Sequence, residues 1–144
     1  MGIIKESIKI ERPTDQVFNY TIDAKNWPKW QPFPESEQTS SGPIKIGSTT
    51  KGKIHLMGLS MKWTAQVTEY EQDKKFGKDI VSGSVRIGQH NTYESIENAT
   101  IFSILYEMKV GGLMKPFSPL VESAMRKASA QALFKLKNIL ETHN

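Results

Sequence analysis

Apolar and polar residues alternate along most of this chain, and the alternation gives way to three-and-four spacing mainly in the last third. Ile4, Ile8 and Ile10 alternate with Lys5, Ser7, Lys9 and Glu11, which predicts a first strand ending at Pro13. Thr14 and Asp15 offer N-cap chemistry ahead of Val17, Phe18, Thr21 and Ile22, a short amphipathic helix. The segment from Asn26 to Pro34 carries Trp27, Trp30 and Phe33 among Pro28, Pro32 and Pro34. It is too proline-rich for a long helix and too apolar for an ordinary loop. One helical turn plugging an aromatic into the body of the fold is the expectation, with a gate or an interaction patch as alternatives. Strands are predicted at about 48–57, 60–71, 76–82, 84–96 and 99–110, with turns at Gly58, Asp73-Lys74-Lys75, Gly83 and Glu97-Asn98. Gly111-Gly112 ends the last strand.

From Leu113 to Glu141 apolar residues recur at Leu113, Phe117, Leu120, Val121, Ala124, Ala128, Ala132, Leu136, Ile139 and Leu140. That stripe fits a helix of about eight turns, with Pro116 and Pro119 making its start irregular. One long helix after a run of strands buries its stripe best in the concave face of a curved antiparallel sheet, and such a sheet tends to leave a hollow. Strand parity assigns Ile54 and Leu56; Met61, Trp63, Ala65 and Val67; Val85, Ile87, Gln89, Asn91 and Tyr93; and Phe102, Ile104, Tyr106, Met108 and Val110 to the face toward the helix. His55, Met57 and His90 fall on the outer face, and His143 at the C-terminal end. A bulge at Gly88 would flip parity beyond it and turn His90 inward.

The inward face offers apolar walls with a few neutral polar groups, and tyrosine phenols as its titratable groups. That pattern suits binding of a small hydrophobic molecule better than acid–base catalysis. Bulky, adaptable Met114, Phe117, Leu120, Val121 and Met125 at the start of the helix strengthen this reading.

Composition narrows the alternatives. With 144 residues, 38% hydrophobic and 24% charged, the chain suits one soluble domain over 1–144. No run reaches the roughly 20 apolar residues of a membrane span. The N-terminus lacks a signal-peptide core, so the expected compartment is the cytoplasm and no membrane insertion is expected. There is no cysteine, and neither metal-ligand spacing nor a nucleotide loop occurs, so no metal and no cofactor is expected. The net charge of +4 sits largely on Lys115, Arg126, Lys127, Lys135 and Lys137, off the helix stripe. No basic cluster with interleaved aromatics forms, so no nucleic-acid partner is expected. A homodimer is compatible with the sequence.

The stretch Ile8-Lys9-Ile10-Glu11-Arg12-Pro13-Thr14-Asp15-Gln16-Val17-Phe18, then Asp23 and Trp27-Pro28-Lys29-Trp30-Gln31-Pro32, resembles the start of polyketide cyclase/dehydrase-like proteins of the START and Bet v 1-like (SRPBCC) superfamily. The hairpin Tyr93-Glu94-Ser95-Ile96 to Ala99-Thr100-Ile101-Phe102, Gly111-Gly112-Leu113 and the closing Leu136-Lys137-Asn138-Ile139-Leu140-Glu141 complete the resemblance over essentially the whole chain. It implies an α+β helix-grip fold: a seven-stranded curved antiparallel sheet around a long C-terminal helix, with two short helices after the first strand. It further implies a cavity for lipids, polyketides or other hydrophobic molecules, with Trp30 as a wall or gate and the helix face as lining. No matching catalytic residue is identified.

The expected ligand-binding residues are Trp30, Met61, Trp63, Phe76, Gln89, Asn91, Tyr93, Phe102, Tyr106, Leu113, Met114, Phe117, Leu120, Val121 and Met125. Two other functions compete with binding. A polyketide cyclase or dehydratase would use a tyrosine or a bound water to move protons. A protein-interaction module would show a filled core and an exposed apolar patch.

Overall fold

The computed structural model describes residues 2–142 apart from Pro32, Pro34 and Met57; the readings made above for Met57 and His143 lie outside the described residues. The alternating stretches form β1 (Gly2–Ile10), β2 (Glu35–Gln38), β3 (Thr49–Leu56), β4 (Leu59–Glu71), β5 (Lys75–Ser82), β6 (Val85–Ile96) and β7 (Ala99–Val110). They make one antiparallel sheet in the order β1-β7-β6-β5-β4-β3-β2. Strands β2 to β7 follow one another as a meander, and β1 joins the far edge with Gly2 opposite Met108 and Ile10 opposite Thr100. Asp73 (φ 60°) and Glu97 (φ 56°) take the left-handed conformation that their tight turns require.

Strand β2 has no signature in the hydrophobic pattern, because Glu35-Ser36-Glu37-Gln38 holds no apolar residue. Its pairing with β3 is accompanied on the outer face by Lys53–Glu35 at 3.2 Å and Lys51–Glu37 at 3.4 Å. Ion pairs this exposed contribute little stability; they suit the register more than they hold it.

The short helix after the first strand is α1 (Thr14–Ile22), which buries Val17, Phe18, Thr21 and Ile22. The capping expectation is corrected. Pro13 occupies the N-cap position with no side-chain cap, and the Thr14 hydroxyl lies 3.0 Å from the Thr100 hydroxyl, which donates to the Arg12 carbonyl. The threonine is engaged by the neighbouring strand, and Asp15 in the first turn faces the positive end of the helix dipole. The single turn α2 (Trp27–Trp30) puts Trp27, Trp30 and the following Phe33 out of solvent.

The C-terminal segment divides. Gly112–Phe117 is a 3-10 turn, and the long helix α3 runs from Ser118 to Thr142. Pro116 has no N–H for an α-helical bond, so the continuous helix expected from Leu113 starts only beyond it. Helix α3 buries Val121, Met125, Ser129, Ala132, Leu133, Leu136 and Leu140. Its end is clasped to the end of β1. Arg12 Nη2 donates to the Glu141 carbonyl (2.7 Å), the Glu11 N–H to Glu141 Oε2 (2.8 Å), and Lys137 Nζ to the Lys9 carbonyl (2.6 Å). The Glu11 N–H and the Lys137 ammonium hold the Glu141 carboxyl below its usual range.

The bulge raised as a candidate at Gly88 is absent: the registers of β6 with β5 and with β7 run unbroken through it. The shift lies in β4, between Val67 and Glu69. His90 therefore stays on the outer face, half-exposed, hydrogen-bonded through Nδ1 to Glu69 and through Nε2 to Glu107 at 2.9 Å. Partial burial opposes its charge, yet the bonds and charges of the two carboxylates outweigh that and raise its pKa.

The sheet is tightest under β2. A Cβ on Gly52 would fall 1.8 Å from the Glu35 carbonyl oxygen and 2.7 Å from the Trp63 ring. Gly52→Ala is expected to cost about 1–3 kcal/mol in urea unfolding, as overpacking does. An unchanged midpoint would mean that β2 does not close over Trp63 in this way.

Candidate functional site

Cross-strand register places the inward residues in rows across the concave face. The middle row runs Val67, Lys78, Gln89, Tyr106 and Ile4 from β4 to β1. The next row holds Phe76, Asn91 and Ile104. Directly opposed residues on one face have Cβ atoms about 5 Å apart, so three polar side chains, Lys78, Gln89 and Asn91, lie close together on this face.

Lys78 is the member that parity reasoning missed. It is 1% exposed, and the expectation that only phenols titrate on this face is corrected by it. Its signal was present in Phe76-Gly77-Lys78-Asp79-Ile80, where the lysine shares the parity of two apolar neighbours. Its Nζ has no hydrogen-bond partner among the described residues. It lies 3.4 Å from the Trp27 ring centroid and 5.2 Å from those of Phe33 and Trp63. These rings come from the aromatic-proline segment and from β4, so the segment that plugs the fold also boxes the amine. Ring faces attract an ammonium, by about 2 kcal/mol in a dry site. Removing that ammonium from water costs several kcal/mol. Desolvation wins, and the Lys78 pKa falls well below 10.5.

Other polar groups on this face are also short of partners. The Gln89 amide donates to Asn91 Oδ1 at 3.1 Å and the Asn91 side chain bonds to the Tyr93 phenol, leaving Gln89 Oε1 without a partner among the described residues. The indole N–H groups of Trp30 and Trp63 are buried and unpaired as well. The two phenols differ. Tyr93 is 2.5 Å from the Thr21 hydroxyl, and Tyr106 meets Ser129 of α3. Burial raises the pKa of both, so they act as fixed hydrogen-bonding groups and are poor proton shuttles near neutral pH.

Among the expected ligand-binding residues, Trp30, Trp63, Phe76, Gln89, Asn91, Tyr93, Phe102, Tyr106, Val121 and Met125 are buried in the interior. Met61 and Met114 are partly buried against it. Leu113, Phe117 and Leu120 are not brought in: Leu113 is 94% exposed, and the other two also face solvent. The 3-10 turn that precedes α3 takes them off the helix stripe, or onto its first, outward turn. Val121 and Met125 begin the buried face instead.

The expected hollow is also much reduced. Between sheet and helix, a cavity of ≈ 20 Å³ is bounded by residues including Met61, Met108, Met114 and Val121, room for about one water. A larger open cleft of ≈ 620 Å³ lies at the β2 edge, lined by Pro28, Ser36, Gly52, Trp63 and the outward charges of β2, β3 and β4. Trp63 belongs to both regions, as a wall of this cleft and a side of the lysine box. Among the described residues, no group of three or more His, Asp or Glu is placed to hold a metal ion, and no helix is long and apolar enough to cross a membrane.

Residues 1–141 match the family model for "Polyketide cyclase / dehydrase and lipid transport". No curated protein matches the chain in sequence. Among solved structures, the chain resembles TTHA0849 from Thermus thermophilus (13% identity, TM-score 0.83), covering 99% of this chain and 100% of that one. It resembles the Zhui aromatase/cyclase from Streptomyces sp. R1128 at 11% identity and TM-score 0.82, over 97% and 93% of the two chains. Ara h 8.0201 matches at 12% identity and TM-score 0.76, over 99% of both chains. At these identities the structural likeness establishes the fold, the helix-grip architecture of the Bet v 1-like proteins.

Lys78 links stability to pH. Between its depressed folded pKa and 10.5, the unfolded chain binds more protons than the folded one, so stability rises with pH across that interval. Lys78→Met is expected to raise stability near neutral pH by on the order of 1–3 kcal/mol and to flatten that rise. Urea unfolding of both proteins from neutral pH to about 10 measures it. Equal pH slopes would show that the lysine is solvated.

Proposed function

We propose that this chain, which belongs to the polyketide cyclase / dehydrase and lipid transport family, binds a small hydrophobic molecule between its sheet and α3. The ligand class is a lipid, a polyketide or an aromatic or isoprenoid metabolite carrying at least one hydrogen-bonding group. One observation carries this reading: four buried polar atoms without partners among the described residues, on Trp30, Trp63, Lys78 and Gln89. Each such group costs about 1–3 kcal/mol. Together they would cost about 4–12 kcal/mol, comparable to the whole stability of an ordinary domain. A core kept only for packing has no use for them, whereas an interior that receives a polar-headed hydrophobic guest does. The same argument weighs against a protein-interaction module with a filled core, despite the exposed Leu113, Phe117 and Leu120.

Affinity and orientation come from different groups. Burying about 200 Å² of apolar ligand surface contributes about 5 kcal/mol. The amides of Gln89 and Asn91, the indole N–H groups and Lys78 then select where the polar group of the ligand sits. Uptake requires the interior to widen beyond its ≈ 20 Å³. The half-buried Met61 and Met114 border that space, and unbranched thioether side chains repack at low cost. An enzymatic reading of the cyclase or dehydratase type draws on one feature, the amine of Lys78, since the phenols are engaged elsewhere.

Native mass spectrometry of the protein isolated from its own organism is expected to show a stoichiometric hydrophobic molecule, identifiable after denaturing extraction. Gln89→Leu and Asn91→Leu should each weaken its rebinding about fivefold to a hundredfold, the worth of one buried hydrogen bond. Unchanged affinity in both variants would place the ligand elsewhere.

A further inference from the structure

We propose that Lys78 is a covalent site: its amine condenses with the carbonyl of a hydrophobic aldehyde or ketone held in the interior, forming an imine. This rests on the reading of the interior as a binding site and goes beyond it by naming the functional group of the ligand.

Three observations converge on this lysine. First, no neighbouring group keeps it charged. Its cross-strand neighbours are Val67 and Gln89, and the groups around its Nζ are the rings of Trp27, Phe33 and Trp63. Asp79, Glu69 and Glu107 belong to the opposite face of the sheet, where the two glutamates pair with His90. A buried lysine retained for structure would have a carboxylate or carbonyl partner, and among the described residues this one has none. Second, burial lowers the pKa of this amine well below 10.5, which favours its neutral form, and a desolvated neutral lysine amine is a nucleophile. A solvated lysine at pH 7 offers only about one free amine in 3,000. Third, Trp63 borders both the amine and the open cleft at the β2 edge, which brings the lysine box next to a route from solvent.

The chemistry balances without another reactant. The Nζ lone pair attacks the carbonyl carbon, the C–N bond forms, and one amine proton moves to the carbonyl oxygen to give a carbinolamine. The C–O bond then breaks, and the oxygen leaves as water with the second amine proton. Amine and carbonyl become imine and water. The unpaired Gln89 Oε1, in register with Lys78, is an acceptor for the N–H or O–H of the carbinolamine. The aromatic box excludes the water that would reverse the step.

The test uses the full chain with decanal and sodium cyanoborohydride at neutral pH, followed by intact mass and peptide mapping. Tryptophan fluorescence titrations with decanal and with decan-1-ol run in parallel. The expected result is one decyl addition on Lys78, at least tenfold above that on any exposed lysine. It should be lost in Lys78→Arg and Lys78→Met, with circular dichroism confirming that the variants fold. The wild-type map decides the matter even if a variant does not fold. Additions scattered over the surface lysines, with the titrations showing binding, would overturn the covalent site and leave the binding interior standing. If neither probe binds and Lys78 is unmodified, both proposals fall together.

Discussion

Most of the molecule follows from the need to bury one face of α3 against a sheet that curls to receive it. A 25-residue helix with an apolar face cannot stand alone in water, and a twisted antiparallel sheet has one concave side with apolar residues at every second position. Joining them puts Val121, Met125, Ala132, Leu136 and Leu140 over the inward residues of the sheet. The clasp from Arg12, Glu11 and Lys9 to Glu141 and Lys137 holds the far end of the helix to the edge strand. Whatever the interior does, it does in the space between these two surfaces.

The price of that arrangement is borne where polar groups are forced inside. Period-two geometry buries the inward positions of β5 and those of β6 from Val85 to Tyr93, and Lys78, Gln89 and Asn91 occupy three of them. The phenols of Tyr93 and Tyr106 find partners in Thr21 and Ser129; among the described residues the amine, the Gln89 carbonyl oxygen and two indoles do not. A protein that keeps several such groups against their desolvation cost keeps them for contact with something else. The aromatic-proline segment makes the consequence specific, since Trp27 and Phe33 sit close enough to the lysine to keep it dry.

At its two ends the interior differs in kind. Near α2 and β4 it is aromatic and rigid, with ring pairs such as Phe33 and Trp63 at 5.3 Å. Toward the 3-10 turn it is walled by methionines, while the neighbouring Leu113, Phe117 and Leu120 stay exposed. Rigid aromatics orient a guest, and methionines make room for one. The division between them is set by Pro116, which delays the start of α3 and leaves the preceding residues outside the packed stripe.

Alternation and helical spacing by themselves determined six of the strands, the first short helix, most of the long one and the parity of nearly every inward residue, because burial on one side of an element writes its period into the chain. Strand β2 was silent: Glu35-Ser36-Glu37-Gln38 lies at the sheet edge and buries nothing apolar. Only the tertiary structure decided that the aromatic segment folds over β5, that a lysine of inward parity ends among three rings, and that the hollow closes to about one water. Those outcomes depend on which side chains meet across elements distant in sequence. Local periodicity says which way a residue points and carries no information about what it finds there.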